Sequence, residues 1–416
     1  MGVFGKWKTS KTPERIREEA LIFCLEADTG KVLDRIEAMF PTTRRGDAHI
    51  FTLRNGDMEI VLLARGVSEE GENGRFAKEQ LEGVCGYVYQ NKTALLEVKR
   101  GLLYHLRQCK GALRAVCSFD SASPEEIKEK EAQIRDILLA VAERLQGVVT
   151  FGDGLSLLDG QGRLILDRDG NSALEFYMPA EIPVPDDWKT SAPKESMERR
   201  DRSMALLRDK RIYVTPWLPL LSELEEDPGR AKEEVCGRAA ALLAVALYSE
   251  CRLGEKLSFE EAGEFTATVI DSYGAGAFFT PEERSYLEDP DSAEQTQIQY
   301  IWQYENLWVM EWALGLTDDL FWPDRICDVP GSVRMMNAYP SMEELTAAAR
   351  LRSRKELLDQ ADLIYRLHWA CVDARVMGLP APWGLEEGVV MERHRALFWL
   401  AGCDGMCPWD EVDLST

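Results

Sequence analysis

Histidine and paired cysteines, the residues that hold most transition metals, are scarce in this sequence. Only four histidines occur among 416 residues, and none of the ten cysteines forms a C-x-x-C pair. Zinc sites need several such ligands at short spacing, so we expect neither a metal nor another cofactor. Most cysteines lie within apolar helix or strand patterns, where a thiol acts as a small hydrophobic side chain. This usage indicates a reducing compartment.

Basic charge is also in short supply. The 49 lysines and arginines face 72 acidic residues, which leaves a net charge of −23. A surface of that sign repels phosphate backbones and anionic membranes, so we expect no nucleic-acid partner and no membrane partner. The acidity suits a basic protein partner, although it also simply keeps a protein soluble.

Long apolar runs are absent as well. The longest, residues 239–248, is too short to cross a bilayer, and the first residues lack the apolar core of a signal peptide. No glycine-rich loop joins a strand to a helix, and no G-x-S-x-G or H-E-x-x-H motif occurs. The sequence therefore predicts a cytoplasmic protein without a nucleotide-binding fold or a recognisable catalytic motif.

Strand and helix patterns alternate over the first half of the chain. Apolar stretches at 49–53 and 59–63 flank Asn55-Gly56, a strong hairpin signal. Amphipathic stretches predict helices at 76–90, 93–108 and 123–147. Short apolar runs predict strands at 113–119 and 148–151 and a further hairpin at 156–167. Strands separated by helices predict an α/β sandwich with a mixed sheet.

A proline-rich stretch marks the predicted domain boundary. Four prolines lie among residues 179–194, a composition typical of a linker. We therefore divide the chain into an α/β domain over 1–180, a linker over 181–196 and a second domain over 197–416. Nine of the 11 tryptophans lie after residue 200, and capping signals open several helices there, with a long helix over 291–314. The second domain is predicted to be all-helical, and the whole protein α+β.

Four polar side chains lie on the apolar stripes of these predicted helices. Projection at 100° per residue places Glu305 among isoleucines and tryptophans. It places His368 and Arg375 on a second stripe, and Arg393 on a third. A buried charge costs on the order of several kcal/mol unless it is paired, so we expect Glu305 to meet one of the two arginines.

Three interpretations of these four residues remain open. They form an ion-pair and hydrogen-bond network that docks the helices, or they line a pocket. In that pocket Glu305 or His368 would act as acid or base and the arginines would hold an anion. The third interpretation is a metal site that uses His368, His394 and a carboxylate, although no local pair of histidines supports it.

Several segments of the second half form a family pattern: RDRS (200–203), EEVCGRA (233–239), YENLWVMEWALG (304–315), CDVP (327–330), LRSRKELLD (351–359), YRLHWA (365–370), GVVMERHRAL (388–397) and WDEVD (409–413). On these segments, residues from about 198 to 416 resemble the uncharacterised, mainly bacterial family named domain of unknown function 4272. The resemblance implies no activity, but it implies that Glu305, His368 and Arg393 belong to the family pattern. Phe398 stands where the family usually has asparagine, and the Asp-rich family ending differs at 413–416. The first half resembles no family that we can name.

Two functions from different classes fit these features. The first is a protein-binding module, such as a partner or immunity-type protein of a bacterial toxin system, which suits the acidity and the missing catalytic motif. The alternative is a hydrolase-like enzyme acting on an anionic small molecule in the helical domain, in a pocket lined by Glu305, His368, Arg375 and Arg393. A purely structural scaffold is a third possibility. Binding is favoured over catalysis.

Overall fold

The computed structural model describes residues 14–40, 49–121, 123–152, 155–178, 192–221, 229–403 and 405–416. The chain divides into two compact units, Met1–Glu181 and Ile182–Thr416, each with its own hydrophobic core. Most of the linker predicted over 181–196 lies outside the described residues. A helix begins at Lys194, directly after Pro193, so the last residues of that predicted linker are helical.

An antiparallel sheet of seven strands forms the first unit. The order of the strands is β2-β3-β4-β1-β5-β6-β7. Each strand pair in the described part of this unit is antiparallel. The strands are β1 (Glu14–Cys24), β2 (Ile50–Asn55), β3 (Met58–Gly66), β4 (Gly111–Ser121), β5 (Val148–Phe151), β6 (Leu157–Leu158) and β7 (Leu164–Leu166).

The sheet is not mixed as the sequence predicted, and the position of β1 explains the difference. The chain runs from β4 through a helix, Pro124–Arg144, into β5. A strand–helix–strand order of this kind usually gives neighbouring parallel strands. Here β1 lies between β4 and β5 and pairs antiparallel with both. β4 and β5 therefore point the same way without forming a pair.

Both hairpins predicted in this half are confirmed. Asn55 pairs with Met58 at the end of the β2–β3 ladder, so the turn contains two residues. Gly56 has a φ of +63°, a left-handed backbone conformation that glycine adopts without steric cost. Strands β6 and β7 form the second hairpin.

Four helices cover the sheet: α1 (Thr29–Glu37), α2 (Gly71–Gln90), α3 (Leu96–Gln108) and α4 (Pro124–Arg144). Leu33 of α1 and Leu138 of α4 are buried in one cluster with alternate side chains of the sheet, such as Ile60 and Leu62. Helix α2 packs against β3 and β4, and α3 contacts β7. The alternation of buried positions along β3 follows from the two-residue repeat of a strand.

The second unit is helical, as predicted, and the described part of it contains no strand. Its α-helices are α5 (Lys194–Asp209), α6 (Lys232–Leu253), α7 (Phe259–Tyr273), α8 (Pro281–Leu287), α9 (Glu294–Ile301), α10 (Gln303–Ala313), α11 (Val329–Asn337), α12 (Met342–Ala348), α13 (Arg354–Val376) and α14 (Glu387–Ala401). Short 3₁₀ turns lie at Ala275–Ala277, Pro382–Gly384 and Trp409–Glu411.

Capping explains where several of these helices begin. Ser258, Thr280 and Ser353 each accept a hydrogen bond from the backbone three residues on, and a glutamate at that position returns the bond. The long helix predicted over 291–314 is interrupted at Trp302, which separates α9 from α10. The indole of Trp302 lies so close to Gly388 that a Cβ there would come within 2.8 Å of the ring.

Helix α6 lies in the interior of the second unit. Small side chains such as Ala239, Ala240 and Ala244 let its neighbours α7, α9 and α10 approach closely. Its apolar run is therefore a core segment. Among the described residues, no helix is both long and apolar enough to cross a membrane.

We expect the helical unit to fold without the first unit. A fragment that begins between Pro185 and Pro193 should show a helical circular dichroism spectrum and one cooperative thermal transition, because its core is built from its own residues. Circular dichroism during a thermal melt checks this. A substantial strand signal, or a melt without cooperativity, would contradict it.

Candidate functional site

Helices α10 and α14 bring Glu305 and Arg393 together inside the helical unit. Arg393 Nε donates to Glu305 Oε2 at 3.2 Å, and only 2% of each side chain is exposed. The second carboxylate oxygen, Oε1, accepts a hydrogen bond from the backbone N–H of Cys327. Both oxygens of Glu305 are thus held, and the charge is compensated within the protein.

Arg393 also anchors a loop. Its Nη1 donates to the carbonyl oxygens of Leu320 and Phe321 at 2.5 and 2.8 Å, and its guanidinium lies 4.8 Å from the centre of the Phe321 ring. The remaining nitrogen, Nη2, is buried and has no hydrogen-bond partner among the described residues. Burial lowers the pKa of Arg393, while the neighbouring Glu305 opposes that shift.

Glu311 occupies a different environment on the same helix. It is fully buried, and its Oε2 accepts from Ser332 Oγ at 2.8 Å. Among the described residues, its Oε1 has no hydrogen-bond partner and no salt bridge to Glu311 is found. Burial raises the pKa of Glu311 to about 8. This carboxyl group is therefore largely protonated at neutral pH.

His368 and His394 form a buried pair between α13 and α14. Their Nδ1 atoms are 2.8 Å apart, so one ring donates and the other accepts. Burial lowers the pKa of both histidines well below 6.5, and the charge of Arg375 adds to the shift of His368. The pair is thus neutral at physiological pH and joins two helices.

The neutral histidine pair should make the protein sensitive to acid. Below pH 6.5 the two histidines bind protons in the unfolded chain but stay neutral in the folded protein. The free energy of unfolding therefore falls as the pH drops from 6.5 towards 4. Replacing both His368 and His394 with asparagine should reduce this fall by up to about 1.4 kcal/mol per pH unit for each group. Urea unfolding at several pH values measures the difference.

His105 provides an internal reference for that experiment. Burial lowers its pKa to about 4 as well, and it stays in both proteins, so some acid sensitivity should persist in the variant. The same pH dependence in parent and variant would contradict the assignment of the pair.

Arg375 does not join the cluster predicted from sequence. Its side chain is 64% exposed and donates from Nη1 to Glu387 Oε1 at 2.6 Å. The helical projection assumes that α13 is covered along its whole length, but its last turn is not, since Val376 is also exposed. Of the four predicted residues, the structure brings Glu305 and Arg393 together, pairs His368 with His394, and leaves Arg375 at the surface.

Other buried polar residues were missed by the sequence reasoning. Asn306 Nδ2 donates to Glu392 Oε2 at 2.7 Å, which links α10 to α14 beside the Glu305 pair. Every residue of α10 is buried, so its sequence has no polar face against which a single residue stands out. The sequence did indicate buried polar residues here, because two glutamates and an asparagine of α10 lie among aromatic and aliphatic residues. In the described residues, no group of three or more His, Cys, Asp or Glu side chains is placed to hold a metal ion.

A pocket of about 310 Å³ opens beside Arg393. Its aromatic walls are Trp312, Phe321 and Trp322, its aliphatic walls include Leu206, Leu363 and Leu367, and its polar side chains are Asp318, Asp319, Gln360 and Arg393. Neither Glu305 nor His368 lines it. The pocket combines concave shape, aromatic surface and a few polar groups, which is the usual make-up of a binding site.

Comparison with known proteins bears on the helical unit alone. A family model described as domain of unknown function (DUF4272) matches residues 199–412, slightly over half of the chain. The first half has no family match. No curated protein and no solved structure matches the chain.

Proposed function

We propose that this chain, which belongs to the DUF4272 family, is a cytoplasmic protein-binding module whose partner docks at the pocket beside Arg393. The observation that carries the proposal is the make-up of that pocket: Trp312, Phe321 and Trp322 form its walls, and neither Glu305 nor His368 lines it. Tryptophan and other aromatic residues are enriched where protein interfaces bind most strongly.

The size of the pocket is suited to a single side chain of the partner protein. A volume of about 310 Å³ is at the small end of the range for ligand sites, about 300–1,000 Å³. Interfaces commonly place one large side chain of the partner in a pocket of this kind and surround it with weaker contacts. Leu206 lies at the rim, 39% exposed, and extends the apolar surface onto α5.

Catalysis by Glu305 or His368 receives less support than binding. A hydrolase needs a side chain that is free to exchange a proton with a substrate. Both oxygens of Glu305 are held, by Arg393 and by the backbone of Cys327. His368 is buried against His394 and lies outside the pocket lining. A structural role therefore suits the Glu305–Arg393 pair and the histidine pair better: they support the loop and helices around the pocket.

Affinity capture with the tagged full-length chain tests the proposal. Leu206→Glu puts a charge on the pocket rim, and Phe265→Glu makes the same change on α7, where Phe265 is 58% exposed and outside the pocket lining. We expect a protein, with toxins among the candidate classes, that is captured by the parent and by Phe265→Glu but lost with Leu206→Glu.

Reconstitution then decides between specific and incidental capture. The purified candidate should form a complex of defined stoichiometry with the parent chain, measured by light scattering after size exclusion. Equal capture by the two variants, or no complex from purified components, would overturn the proposal.

A further inference from the structure

The pocket beside Arg393 carries a net negative charge. Arg393 contributes little positive charge to it, because its guanidinium is paired with Glu305. Asp318 and Asp319 line the pocket, and Arg393 is the one basic residue in its described lining. The net charge of −23 on the whole chain also favours the approach of cations over anions. Charge complementarity therefore favours a cationic occupant.

Aromatic and aliphatic walls suit the shape of a basic side chain. Lys210 of the chain itself places its ammonium 5.0 Å from the centre of the ring of Trp322, which is one wall of the pocket. This contact demonstrates that the wall accepts a cation over its aromatic face. Leu206 and Leu363 can cover the methylene groups that arginine and lysine bury when only their charged ends stay polar.

The loop that presents the two aspartates is held in place before any ligand arrives. Asp319 Oδ1 accepts from the backbone N–H of Phe321 at 2.8 Å. Arg393 binds the carbonyl oxygens of Leu320 and Phe321, and Arg352 Nη2 binds that of Asp318 at 3.2 Å. Phe321 has a φ of +28°, which is uncommon for a residue with a side chain, so these contacts fix a specific loop shape. A fixed loop loses little conformational freedom on binding.

We infer that the pocket takes an arginine or lysine side chain of the partner protein, with Asp318 and Asp319 facing the charge and the apolar walls covering the stem. This inference rests on the proposed function, because it names the chemistry of the docking side chain. It also gives the acidic composition of the chain a specific use.

Capped pentapeptides that differ only in a central arginine, glutamine or glutamate test the inference on the full-length protein. Ligand-observed NMR measures their binding. The arginine peptide should bind best, and its affinity should fall as sodium chloride rises from about 50 to about 500 mM, since salt screens exposed charges. Equal binding of the arginine and glutamine peptides, or best binding of the glutamate peptide, would overturn the inference.

Two variants should shift the affinity in opposite directions. Asp318→Asn removes a negative charge from the pocket and should weaken the arginine peptide about 1.5-fold to fivefold, the usual range for one exposed charge contact. Lys210→Gln removes a competing cation from Trp322 and should strengthen binding by a similar factor. Glu264→Gln, an exposed change on α7 outside the pocket lining, should leave the affinity unchanged. Shifts of the opposite sign would indicate an anionic occupant and end the inference.

The outcomes separate this inference from the proposed function. If Leu206→Glu loses the partner but the arginine peptide shows no preference, the protein-binding role stands and the basic anchor falls. If the arginine peptide binds as expected while no partner depends on Leu206, the pocket recognises free cationic molecules, and the docking of a protein side chain is overturned. Unchanged melting of Asp318→Asn and Lys210→Gln confirms that each variant is folded.

Discussion

Replacing Glu305 with glutamine is expected to lower the free energy of unfolding of the helical unit by about 3–5 kcal/mol. The substitution keeps the shape of the side chain but leaves the guanidinium of Arg393 buried without its counter-charge. Changing an exposed glutamate usually has an effect of about 0.5 kcal/mol or less. Equilibrium urea unfolding of the full-length protein at pH 7 measures the loss.

A double-mutant cycle identifies the partner of Glu305. Glu305→Leu combined with Arg393→Met should cost less than the sum of the single changes, because the double variant leaves no unpaired charge. The same cycle with Arg375→Met should be additive, since Arg375 is exposed and bound to Glu387. Parent-like unfolding of Glu305→Gln would mean that the carboxylate is solvated and that the ion pair does not hold the helices.

Replacing Glu311 with glutamine should have the opposite effect and stabilise the protein at pH 8. The unfolded chain releases the proton of Glu311 above its ordinary pKa of 4.5, whereas the folded protein keeps it up to about pH 8. Stability contributed by this group is therefore complete below pH 4.5 and declines as the pH rises, by up to about 1.4 kcal/mol per unit. Glutamine is neutral at every pH, so it avoids that loss and still offers an oxygen to Ser332.

The gain should depend on pH, which distinguishes it from a general packing effect. We expect Glu311→Gln to exceed the parent by on the order of 2–3 kcal/mol at pH 8 and to be close to it at pH 5, as measured by urea unfolding. Glu305→Gln provides the matched control, because it changes the same residue type on the same buried helix six positions earlier. A variant less stable than the parent at pH 8 would show that Glu311 is charged and paired in the folded state.

The candidate site was only partly predictable. Glu305 and Arg393 stood out because a charge on an apolar helical stripe must find a partner, and the structure provides that pair. Arg375 followed the same pattern but lies at an uncovered helix end. Asp318 and Asp319, which define the pocket in the proposal, gave no signal, since acidic residues in a loop are ordinary surface residues.

The amino-acid sequence by itself determined the local structure of this protein. Capping residues set the starts of α7, α8 and α13, the Asn55-Gly56 pair set a hairpin, and apolar periodicity separated a sheet-bearing half from a helical half. These features depend on contacts a few residues apart, which can be read along the chain.

Only the tertiary structure decided the arrangement of those elements. It placed β1 between β4 and β5, which made the sheet antiparallel. It surrounded α10 on all sides, and it assigned opposite environments to Glu305 and Glu311 on that one helix. The physical reason is that burial and pairing arise from residues far apart in sequence, such as Glu305 with Arg393, and no local pattern specifies which distant side chain will lie within 3–4 Å of another.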